Sequence, residues 1–149
     1  MNKRRLFSLC AGSLVFLLVM PCQVSGQKGI NKPATLIFGQ GGGVTGKYTE
    51  YILGSDRKLF SYYNSETGKK VLLKKISKKL CRSFFTDAEN LGLLKMDFNH
   101  PYNINYYIIY HKGTDENKVN WCDARNPPPE GVKELWERLW EVTKESTKK

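Results

Sequence analysis

Gly41-Gly42-Gly43-Val44-Thr45-Gly46-Lys47 decides how the chain folds, because two nucleotide-binding patterns overlap on it. Gly41, Gly43 and Gly46 spell G-x-G-x-x-G, and Gly41 to Lys47 spell G-x-x-x-x-G-K without the final Ser or Thr. Both patterns work only where a helix follows, since its free N–H groups and positive dipole end hold the phosphates. The residues that follow are Tyr48-Thr49-Glu50-Tyr51-Ile52-Leu53, then Gly54-Ser55-Asp56. That run is aromatic and β-branched, lacks an i, i+3, i+4 stripe, and ends at a turn cluster after one strand length. It predicts a strand.

The phosphate-loop pattern also needs a hydroxyl after Lys47 to hold Mg²⁺, a part that Tyr48 does not play. The dinucleotide pattern needs an acidic residue about 20 positions on. Glu66 stands near there, inside the turn-like Asn64-Ser65-Glu66-Thr67-Gly68. The glycines therefore read as a tight or bulged connection between Leu36-Ile37-Phe38 and a strand at 47–53.

Working outward, strands are expected at about 34–39, 47–53, 58–63 and 70–74, forming an antiparallel meander. Ser77 suits the N-cap of a helix whose apolar stripe is Leu80, Cys81, Phe84, Phe85, Ala88 and Leu91, with Gly92 closing it. Leu93–Phe98 bridges to the turn-rich Asn99-His100-Pro101-Tyr102-Asn103. A strand at 104–111, a loop at 112–117 and a strand at about 118–122 come next. Pro129 suits the first turn of a last helix carrying Val132, Leu135, Trp136, Leu139, Trp140 and Thr143, with Lys144 complementing its dipole. The order β-β-β-β-α-β-β-α predicts an α+β domain, an antiparallel sheet with both helices on one face.

The N-terminus has the three parts of a secretory signal. Met1-Asn2-Lys3-Arg4-Arg5 is basic, Leu6–Met20 is apolar, and Val24 and Gly26 are small residues before a cut ahead of Gln27. The apolar part is shorter than the ~20 residues of a membrane span. Pro21 before Cys22 makes a poor lipidation site. The expected organisation is a signal peptide at 1–26, a leader at 27–33, one domain at 34–145 and a basic tail at 146–149. The location is periplasmic or secreted, with no membrane span after signal removal.

The formal net charge is +10, and removing the signal takes three cationic residues and no acidic ones, leaving +7. The excess gathers at Lys69, Lys70, Lys74, Lys75, Lys78, Lys79 and Arg82. No nucleic-acid motif accompanies it, so it reads as a solvated face. Cys81 and Cys122 are the cysteines of the mature chain; export permits a disulfide between them, and two buried thiols are the other reading. Two isolated cysteines offer no metal-ligand spacing. His100 and His111 have no partner at ligand or nucleophile spacing, and Asp123 with Glu130 forms no readable acid–base pair. No catalytic motif, cofactor or metal is expected.

F-G-x-G-G-G-x-T-G, a Tyr-rich strand, the helix after a Lys-rich hairpin, D-F-N-H-P-x-N, and a W-x-D strand before a Pro-led helix resemble a group of small exported bacterial proteins of uncharacterised function. Proteins of this look are sometimes labelled FAD-binding oxidoreductases, a label the residues do not support. Over residues 35–143 the layout is similar, more distantly, to emfourin-type inhibitors of thermolysin-like metallopeptidases. The triple glycine is longer than the inhibitor pattern, and D-F-N-H-P-x-N is not part of it. Compartment, size, the missing catalytic constellations and the distant inhibitor resemblance together point to a non-catalytic exported module that presents Gly41, Gly42, Gly43, Thr45, Asn99, His100 and Asn103 to a secreted or envelope protein such as a peptidase. The alternatives are a flavin- or nucleotide-dependent oxidoreductase using Gly41–Lys47, and an envelope-associated structural module whose lysines meet anionic polymers.

Overall fold

In the computed structural model, residues 32–44, 46–63, 69–122 and 125–144 are described. The expected signal peptide with Cys22, most of the expected 27–33 leader, Thr45, the expected 64–68 turn, Asp123 and the 146–149 tail lie outside them. Six strands form one antiparallel sheet: β1 (Ala34–Gly42), β2 (Lys47–Gly54), β3 (Lys58–Tyr63), β4 (Lys70–Lys75), β5 (Ile104–Lys112) and β6 (Asp115–Trp121). Their order across the sheet is β4-β3-β2-β1-β5-β6. Helix α1 (Lys78–Asn90) joins β4 to β5, and α2 (Val132–Lys144) follows β6. The chain is thus an α+β fold in the expected order.

Alternation along the strands sends Leu36, Phe38, Leu53, Leu59, Ile108, Tyr110, Val119 and Trp121 into one core with Phe84, Ala88, Leu135 and Leu139 of the helices. Both helices lie on this face. An aromatic chain runs through it. Trp136 stacks on Trp140 at 4.8 Å and meets Tyr106 edge-on at 5.1 Å, while Trp140 meets Tyr51 edge-on at 5.3 Å. The buried Trp136 indole N–H donates to the Gly39 carbonyl at 3.2 Å, so α2 is hydrogen-bonded to the central strand of the sheet.

The helix ends follow local chemistry. Ser77 Oγ accepts the Leu80 N–H at 3.2 Å as N-cap, and Gly92 takes the left-handed conformation (φ 66°) just past α1. Arg138 of α2 reaches Asp87 of α1 at 2.7 Å and lies over the Phe84 ring, tying the two helices together.

Four details differ from the sequence reading. β1 continues through Gly41 and Gly42, because both keep pairing with β2 and β5. The expected 112–117 loop is instead a tight hairpin at Gly113-Thr114 (Gly113 φ 66°), so β6 starts at Asp115. Leu93–Lys95 forms one 3₁₀ turn, held by the Asn117 amide, which donates to the Leu93 and Met96 carbonyls at 2.6 and 2.8 Å. Pro129 precedes α2, its carbonyl accepting the Val132 N–H.

Cys81 and Cys122 are both buried and free, so the disulfide weighed from the sequence is not formed. Cys81 belongs to the helix layer, its thiol directed at the Gly54 carbonyl. Cys122 follows Trp121, whose side chain faces the helices, and strand alternation turns Cys122 toward the opposite side of the sheet.

Candidate functional site

Where β1 turns into β2, the chain leaves the sheet at Gly42 and returns at Lys47. Gly42, Gly43 and Gly46 have φ of 108°, 70° and 60°, values that glycine adopts without strain. A strand follows Lys47, so the helix N-terminus that either nucleotide pattern requires is not there. The glycines make a β-connection, and their neighbours explain why so many are needed.

Gly43 N–H donates to the Asn103 carbonyl at 2.5 Å, and a Cβ on Gly42 would run into that same carbonyl. The hairpin tip is therefore docked on the segment that enters β5. Asn105 Oδ1 accepts the Tyr102 N–H at 2.5 Å and holds that segment in a turn. Around this junction Val44, Tyr102 and Ile104 are exposed large side chains, with Val44 fully so, while Tyr48 is exposed on the helix-free face of the sheet. The Arg125 guanidinium lies 4.2 Å over the Tyr102 ring and adds a cation at the rim.

Of the residues singled out in the sequence, Gly42, Gly43 and Asn103 meet at this tip, with Gly41 one pair inward in the sheet. Asn99 and His100 serve elsewhere. Their segment runs parallel to β6, with Asn120 N–H donating to the Phe98 carbonyl at 3.1 Å and His100 N–H to the Asn120 carbonyl at 2.8 Å. The exposed His100 ring packs edge-on against Phe98 at 4.6 Å. Thr45 lies outside the described residues.

The sheet face away from the helices carries a second arrangement that the sequence reading missed. One rung of cross-strand partners spans all six strands: Lys70, Tyr62, Glu50, Gly39, Tyr107 and Asn120. Gly39 and Gly41 alternate onto this face and offer no side chain. The Tyr107 ring therefore lies across Gly39, and the Tyr48 ring lies across Gly41. Tyr107 Oη donates to Glu50 Oε2 at 2.7 Å, bridging β5 to β2 above the glycine. Burial, reinforced by the Glu50 carboxylate, holds the Tyr107 phenol far above its ordinary range, so it stays a hydrogen-bond donor. Lys118 Nζ sits 4.7 Å over the Tyr107 ring. The signal for this set is parity alone, with Tyr48, Glu50 and Ile52 on one face and Gly39 and Gly41 beneath. Which strand lies beside β1 is not readable from it.

Among the described residues no group of three or more His, Cys, Asp or Glu could hold a metal ion, and no helix is long and apolar enough to cross a membrane. No protein-family model matches the chain, and no curated protein is significantly similar to it.

Proposed function

We propose that this protein is an exported, non-catalytic binding module that presents the β1–β2 tip and the Tyr102–Ile104 segment to a protein partner. The observation that carries the proposal is the junction itself. A backbone bond from Gly43 to Asn103 joins two loops distant in sequence, and the large side chains of Val44, Tyr102 and Ile104 stand exposed around it. Exposed apolar clusters rimmed by polar groups are the usual mark of a protein–protein contact. A docked tip loses little conformational entropy on binding, which favours affinity. The partner class follows from the resemblance alone: a thermolysin-like metallopeptidase, with this chain as its inhibitor.

The test is inhibition of a panel of secreted and thermolysin-like peptidases, with complex formation followed by gel filtration. Inhibition by the wild-type protein and at least a tenfold loss with Val44→Asp or Ile104→Asp is the expected result. No inhibition at micromolar concentration and no complex removes the inhibitor reading. Inhibition that both variants retain removes the tip as its source.

A further inference from the structure

The helix-free face holds a depression of about 240 Å³ lined by Tyr48, Glu50, Tyr62, Tyr107, Ile109 and Lys118. We propose that it binds one neutral pyranose ring of a polysaccharide. This site lies on the open face of the sheet and does not depend on the partner proposed for the tip.

The lining groups select the ligand by charge first. They comprise one carboxylate and one ammonium, with three phenols, so the site carries no net charge to attract a simple ion. A ligand cation drawn to the Glu50 carboxylate would meet the Lys118 ammonium in the same depression. A ligand anion drawn to Lys118 would meet the Glu50 carboxylate in the same depression. What remains is an uncharged molecule with many hydroxyls and one apolar face.

Each part of a pyranose then finds a match. Its C–H face stacks on the Tyr62 ring, a rigid surface that loses little side-chain entropy when covered. Its hydroxyls donate to Glu50 and accept from Lys118, charge-assisted bonds of the stronger kind. The volume lies below the roughly 300 Å³ at which pockets for drug-sized ligands begin, which suits one ring at a time.

The site is also built before any ligand arrives. The Tyr107–Glu50 bond sets the carboxylate, and the missing Cβ of Gly39 leaves room for the Tyr107 hydroxyl that makes it. Preorganisation of this kind raises affinity by reducing what must be ordered on binding.

Titration calorimetry of the purified protein with cellohexaose, maltohexaose and N-acetylchitohexaose tests the proposal. Hexalysine, a heparin hexasaccharide and oligo(dT) serve as charged comparisons. Saturable binding of at least one neutral hexasaccharide is expected, with Kd between about 10 μM and about 1 mM. Added salt should barely change it, because no net charge is neutralised. Tyr62→Ala and Lys118→Ala should each weaken binding at least tenfold with the thermal melt intact, and Val44→Asp should leave it unchanged. The proposal is overturned if none of the three neutral sugars binds at about 5 mM. Binding of the charged probes alone, or neutral-sugar binding that both variants leave intact, overturns it equally.

Discussion

Replacing Gly39 with Ala separates a glycine kept for space from one kept for conformation. Gly39 lies in the regular part of β1 and is not among the positive-φ glycines, so its backbone would accept alanine without strain. In the unfolded chain the substitution removes conformational freedom, which by itself favours folding by about 0.4–1 kcal/mol. In the folded chain the new Cβ would lie 2.5 Å from the Thr49 carbonyl oxygen, 2.7 Å from Tyr107 Oη and 2.9 Å from Tyr107 Cζ. Overpacking of this kind costs about 1–3 kcal/mol. If the phenol lifts away it also gives up its bond to the Glu50 carboxylate, worth about 1.5–3 kcal/mol.

The unfavourable terms exceed the favourable one. Gly39→Ala should therefore destabilise the protein by about 2–4 kcal/mol, read in urea as a lower midpoint with an unchanged slope. Part of the cost belongs to Tyr107 and part to Thr49, and a double-mutant cycle divides them. In a Tyr107→Ala background the ring is gone and only the Thr49 contact remains. The two substitutions should then couple by at least about 1 kcal/mol, each costing less in the presence of the other. A Gly39→Ala protein as stable as wild type, or strict additivity with Tyr107→Ala, would refute the view that Gly39 is the floor beneath Tyr107.

Three further outcomes follow from the same geometry. Tyr110 is buried with its hydroxyl 3.2 Å from Glu89, and burial followed by that carboxylate pushes its phenol up to about 12. A raised folded-state value contributes stability that is complete below the unfolded value near 10. It is lost as pH climbs toward 12, so Tyr110→Phe should flatten the alkaline decline in melting temperature. Ser77→Ala removes the acceptor for Leu80 N–H and should cost about 1 kcal/mol, most of it recovered by Ser77→Asp. Trp136→Phe deletes the indole bond to Gly39 and part of a stacked ring system. It should cost about 2–4 kcal/mol by chemical denaturation, more than Trp140→Phe, whose ring is only half-buried.

The architecture was legible in the sequence where a local rule governs. The β-branched run after Lys47 ruled out a helix, Ser77 and Gly92 bracketed α1, and the 3, 4 spacing from Val132 to Thr143 named the buried face of α2. The reading of 112–117 as a loop failed because Asp115, Glu116 and Asn117 carry no apolar alternation. Their place in a strand comes from pairing with Lys112, His111 and Tyr110 across the hairpin. At the tip, Gly42 and Gly43 were legible as turn residues. Their contact with Asn103 spans 60 residues and is fixed by β1 lying beside β5, which no local pattern encodes. The Glu50–Tyr107 bridge was hidden for the same reason. Asn99 and His100 read as part of a turn-rich segment by composition, whereas backbone pairing places them along the edge of β6.

The position of β1 in the middle of the sheet also has a kinetic consequence. Its pairing with β2 closes a short hairpin, so the β1–β4 meander can form from local contacts on a fast timescale. The other edge of β1 has no partner until Ile104–Lys112 arrives, and the layer over Phe38 and Leu36 is completed only by α2. A chain released or stalled before that point displays a bare strand edge in the heart of its future sheet. That edge, more than the lysine-guarded rim at β4, is where the nascent protein is open to mispairing with another copy.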